Sequence, residues 1–226
     1  MDDETKTEIE TACREVHELL ARIPIRTDPN ELEFQDGLYF FFEEGETSRH
    51  GPTGRVVRVG NHPRSDGGLV RRLRQHYSGN KNGSVFRKLL GGALLRSRDP
   101  GSTCLAPGPG KGHWELQDAR PCAVCRLVEV EVSSSLRAGF TFRCIEIRDR
   151  KERNLFEVML VATLAQCPVC RPSGGWLGRH AYAGRVRESG LWNVQFSDGR
   201  VLSKAALGRF AELVAALMRR GTRPDG

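Results

Sequence analysis

Lysine is scarce in this chain. Of its 35 basic residues only 6 are Lys, so the net charge of +7 is carried almost wholly by guanidinium groups. Arg presents a planar fork suited to bidentate phosphate contact, and a basic surface concentrates polyanions, although GC-rich coding also favours Arg. Long apolar runs are missing as well: none approaches the ~20 residues that a bilayer-crossing helix needs, which excludes a helical span. The opening Met1-Asp2-Asp3-Glu4 is acidic with no apolar core behind it, so no secretory signal and a cytoplasmic location are expected. Internal repeats, low-complexity tracts, a thioredoxin-type unit and helix-turn-helix or zinc-finger spacing are also lacking. The seven cysteines are an odd count. Without an export signal they are expected as thiols or metal ligands, not as a disulfide framework.

What is present is organised around residues 37 to about 95. Gly37-Leu38-Tyr39 opens a β-prone run through Phe42, a polar loop with Gly45, Gly51, Pro52 and Gly54 follows, and Arg55 to Gly60 forms a second β-prone run. The pair predicts a hairpin. After the 61–68 turn, Leu69, Val70, Leu73 and Tyr77 recur at helical spacing, which puts Arg72 and His76 on one side of that helix. A further loop ends at Ser84, the expected N-cap of a helix through Phe86, Leu89, Leu90 and Leu94.

The remaining chain divides around this stretch. Ile9, Ala12, Val16, Leu19 and Leu20 predict an apolar helical stripe over residues 4–22, within a packing unit at 1–33. Cys13 and His17 fall four apart on it and, with no further ligand in view, read as structural. Residues 97–126 are rich in Pro and Gly and form an expected insertion. Alternation predicts strands over Leu127–Val132 and Phe140–Ile147. Asp149 with Glu152 makes a capping box for a helix to about Ala165. On that helix Glu157 projects among Leu160, Val161 and Leu164. A carboxylate so placed requires a cation, which points to Arg72, Arg58 or a metal ion. Trp176 and Trp192 are expected to anchor packing in an extension over 167–220 that closes with a helix from Ser203, and 221–226 is expected to be disordered. Cys122-x-x-Cys125 and Cys167-x-x-Cys170 together match what one tetrahedral zinc ion takes, the competing reading being packed thiols.

In the order strand, strand, Arg-x-x-x-His helix and late Glu, the chain resembles the GIY-YIG nuclease superfamily over residues 37 to about 165. The matching positions are Gly37-Leu38-Tyr39, Arg58-Val59-Gly60, Arg72 with His76, and Glu157; Arg58 stands where the family has its second tyrosine. The resemblance implies an α+β fold with a small three-stranded antiparallel sheet flanked by helices. The core would span 34–166, interrupted by the insertion before the third strand and followed by a strand-helix extension. It also implies a metal-dependent endonuclease acting on DNA. Tyr39 would be general base or water holder, Arg72 would take the non-bridging oxygens, and His76 would position water or phosphate. Glu157 would bind Mg²⁺ or Mn²⁺, and Arg58 would clamp a phosphate. His62, Ser84, Arg87 and Lys88 are the expected nucleic-acid contacts, Ser84 because a helix N-terminus seats phosphate. An inactive fold kept as a DNA- or RNA-binding module, organised by zinc, is the alternative, and oligomeric state stays open.

Overall fold

The computed structural model describes residues 2–62, 68–105, 113–116 and 122–221. In chain order it holds α1 (Asp3–Ala21), β1 (Gly37–Thr47), β2 (Gly54–Gly60), α2 (Gly68–Ser78), α3 (Val85–Arg98), α4 (Ala123–Gly139), β3 (Phe140–Glu146), α5 (Arg150–Gln166), α6 (Gly184–Ser189) and α7 (Lys204–Gly221). The centre of the expected turn after β2, residues 106–112 and 117–121 of the insertion and the end of the tail lie outside the described residues.

The three strands form one antiparallel sheet in the order β2-β1-β3. Side chains alternate across it and feed two cores. Tyr39, Phe41, Val57 and Phe142 face one side, with α2, α3 and α4; Leu38, Phe40, Val59 and Ile145 face the other, with α1, α5 and α7. The pairing steps from Phe41↔Arg58 to Phe42↔Val56, so Val57 is the extra residue of a β-bulge. Two family glycines have steric reasons. A Cβ on Gly37 would lie 2.1 Å from the Ile145 carbonyl oxygen, and one on Gly60 would lie 2.3 Å from the Tyr39 hydroxyl.

Two expectations fail. Leu127–Val132 is not a strand but part of α4, where Cys125, Val128, Val132 and Leu136 are buried at helical spacing while Leu127 and Val130 are exposed. Alternation over six residues was too short to separate the two periods. On α5 Leu155 is exposed, and Arg153 takes the buried place, donating to the Ile147 carbonyl at 2.9 Å and pairing with Asp36 at 3.1 Å.

The extension holds no strand among the described residues. Instead Leu191 to Asn193 runs along the open edge of β2. Trp192 N–H donates to the Val57 carbonyl (2.7 Å), and the Asn193 side chain bonds both the N–H (3.2 Å) and the carbonyl (2.8 Å) of Val59. That contact covers a sheet edge that would otherwise template aggregation. Trp176 and Trp192 are buried, pack at 5.2 Å, and each donates its indole N–H to Glu43 at 3.0 Å. No described helix is long and apolar enough to cross a membrane.

Candidate active site

Tyr39 lies near the start of β1 and is paired across the ladder with Gly60 at the end of β2. Its hydroxyl sits 2.8 Å from His76 Nε2, and His76 Nδ1 sits 2.8 Å from Ser84 Oγ. Ser84 in turn caps α3, accepting the Arg87 N–H at 3.2 Å. Both ring nitrogens of a neutral imidazole are thus engaged, one as donor and one as acceptor. His76 is completely buried, and burial pushes its pKa well below the ordinary 6.5, with the guanidiniums of Arg58, Arg72 and Arg87 pushing the same way. The imidazole is neutral and holds the phenol in place.

Arg58 is on the same face of the sheet as Phe41, its cross-strand partner. One Nη donates to the Trp192 carbonyl, the guanidinium lies over the Phe86 ring at 5.2 Å, and its buried Nε has no hydrogen-bond partner among the described residues. Arg72 is half-buried on α2, bonded to Gln75 and to the Gly83 carbonyl, each at 3.0 Å, with its Nε also unpartnered. Glu157 approaches from α5. Burial raises its carboxyl pKa, opposed in turn by Arg58, by the Asn61 N–H that donates to it, and by Arg72. Arg58 and Arg72 thus oppose that shift through their charge. Sequence reasoning missed Asn61, which is placed only by the end of β2.

As a metal ligand, Glu157 is a single half-buried carboxylate, and it belongs to no cluster of three or more donors among the described residues. That donor set fits a hard ion that keeps water and phosphate oxygens in its shell, and does not fit an all-protein cage.

Three of the residues expected to contact nucleic acid are engaged within the fold. Arg87 is fully buried, paired with Glu129 at 2.7 Å and donating to the His76 carbonyl at 2.9 Å, so it joins α3 to α2 and α4. Ser84 is buried between His76 and its own helix, and His62 is buried beside Asp36 at 3.2 Å. Each is consumed by internal partners, leaving Lys88, which is half-buried, as the exception.

The two Cys-x-x-Cys pairs do not meet. Cys122 and Cys125 open α4 beside Cys104, against one core, whereas Cys167 and Cys170 close α5 beside Cys13, in the other. Cys13 and His17, set aside as structural from the sequence, lie in that second cluster. The signal that was available is Cys-x-x-x-His on one helical face; its partners are more than a hundred residues away.

The family model described as GIY-YIG domain matches residues 22–220. The comparisons with curated proteins and with solved structures return no match.

Proposed function

Because the chain belongs to the GIY-YIG domain family, we propose that it is a metal-dependent endonuclease that hydrolyses phosphodiester bonds in DNA. The observation that carries this reading is the convergence of the Tyr39–His76 hydrogen bond, two guanidiniums and a partly desolvated carboxylate at the end of β2.

Hydrolysis needs an oriented water, positive charge at the non-bridging oxygens and help for the leaving oxyanion. Tyr39 is the group that holds or deprotonates the water, since His76 fixes the direction of its hydroxyl. His76 itself is a positioning residue. Arg72, half-buried on α2, would take the phosphate oxygens. Arg58, in place of the family's second tyrosine, supplies charge where the family has a hydroxyl. Glu157 would hold Mg²⁺ or Mn²⁺, which supplies Lewis-acid charge to the phosphate oxygens when bound. Compensation of Glu157 by two guanidiniums and a backbone N–H keeps a carboxylate available there despite burial.

A second reading rests on Arg58 and Tyr39. Tyr39 is 1% exposed and Arg58 8%, with Arg58 tied to Trp192; a fold so closed, with a guanidinium replacing a phenol, also suits a nucleic-acid-binding module without cleavage. Plasmid nicking in Mg²⁺, Mn²⁺ and EDTA separates the two. Metal-dependent nicking is expected in the wild type, with a loss of about 100-fold or more in Glu157→Ala and Tyr39→Phe. Retardation of DNA in a gel without cleavage in any metal replaces the nuclease reading with the binding module.

A further inference from the structure

Six of the seven cysteines gather into two groups on opposite faces of the sheet, and a histidine reaches each group. We propose that this chain binds two structural zinc ions, one held by Cys104, His113, Cys122 and Cys125, the other by Cys13, His50, Cys167 and Cys170.

In the first group, Cys104 Sγ lies 3.2 Å from Cys122 Sγ and 3.8 Å from Cys125 Sγ, and the His113 side chain is a hydrogen-bond partner of Cys122. Zinc–sulfur bonds of about 2.3 Å and zinc–nitrogen bonds of about 2.0 Å place tetrahedral ligand atoms roughly 3.5–3.8 Å apart. Sulfur separations of 3.2 and 3.8 Å lie near that range and well beyond the roughly 2.0 Å of a disulfide, which would pair two of the three thiols and strand the third. The Cys125 N–H also donates to Cys122 Sγ at 3.4 Å, so the turn already supports a thiolate. This ion would tie Cys104 and His113, in the insertion after α3, to the start of α4.

The second group joins three distant segments: Cys13 on α1, His50 in the loop between β1 and β2, and Cys167 with Cys170 at the end of α5. All three thiols are buried. Cys13 interacts with both Cys167 and Cys170, and His50 Nε2 lies 3.3 Å from Cys167 Sγ. His17 is also close, its Nε2 3.8 Å from Cys170 Sγ. Its nitrogens are otherwise engaged, however, by the Cys13 carbonyl at 2.9 Å and the Val56 N–H at 3.5 Å. Among the described residues His50 Nε2 meets only Cys167 Sγ, so it is the fourth ligand, and His17 positions Cys13 and Cys170. The Cys170 N–H donates to Cys167, repeating the turn of the first pair. Cys144, the seventh cysteine, is buried with neither group and serves as a control.

The test is elemental analysis of the full chain purified in reducing buffer without chelator. Two zinc ions per chain are expected in the wild type and in Cys144→Ser, one in Cys125→Ser, one in Cys170→Ser and none in the double variant. His50→Ala should lose one ion and His17→Ala should keep both; the reverse would overturn the assignment of the fourth ligand. A cobalt-loaded wild type should show the intense visible absorption of tetrahedral thiolate sites at two equivalents, a readout that needs no variant to fold. Zinc-free protein with seven titratable thiols, a mass lower by a pair of hydrogens from a Cys104–Cys122 disulfide, or a wild type that holds only one ion, which Cys125→Ser and Cys170→Ser each lose, would each overturn the proposal. Nicking activity plays no part in the readout, so failure here leaves the nuclease reading untouched.

Discussion

His76 and Glu157 are both buried titratable groups, and they act on stability in opposite directions. The folded chain keeps His76 neutral where the unfolded chain would protonate it, so its contribution is complete above about pH 6.5 and declines as pH falls below that value. Thermal melts of wild type against His76→Gln should show the wild-type midpoint dropping more steeply between pH 6.5 and 5. Glu157 has a raised pKa: the folded state retains its proton where the unfolded chain, with an ordinary value of 4.5, has lost it. Its contribution is therefore greatest below about pH 4.5 and is lost as pH rises through the folded value. Glu157→Gln is expected to melt higher than wild type at pH 7.5, and to converge with it near pH 4, while nicking is lost; a lower midpoint at pH 7.5 would show that the carboxylate is a net stabiliser. Tyr39→Phe leaves His76 Nε2 without its partner in a dry environment and should cost about 1–3 kcal/mol in denaturant titration.

At the level of elements, the helices were legible wherever a cap and a long stripe coincided. Ser84 and Asp149 cap α3 and α5 as their spacing implied, and the stripe Ile9, Ala12, Val16, Leu19 and Leu20 is the buried face of α1. The segment Leu127–Val132 misled because Val128, Val130 and Val132 alternate with acidic residues as well as sampling a helical face. Val132→Asp, placed at a fully buried position, should unfold the protein or lower its midpoint sharply, since an unpaired buried carboxylate costs several kcal/mol. Val130→Asp, on the exposed face, should change it little; equal effects would restore the strand. Gly37→Ala forces a methyl group into the Ile145 carbonyl at the β1–β3 ladder, where backbone on both sides resists, and should give insoluble protein on expression.

For the whole molecule, the extension is part of the site's support. Trp192 and Asn193 seal the edge of β2 and receive one arm of Arg58, so Asn193→Ala should lower stability by about 1–3 kcal/mol and reduce nicking together. A loss of stability with unchanged nicking would separate the two roles. The sequence by itself determined the family pattern, the two strands and the Arg72–His76 helix face, because each depends on local spacing. Only the tertiary structure decided that Arg87 is an internal strut, that Ser84 serves His76, and that the cysteine pairs lie on opposite faces of the sheet. Those outcomes depend on which faces the sheet separates and on which distant loops return to them. Cys13, His50 and Cys170 meet across more than a hundred residues of chain, a distance over which no spacing carries information.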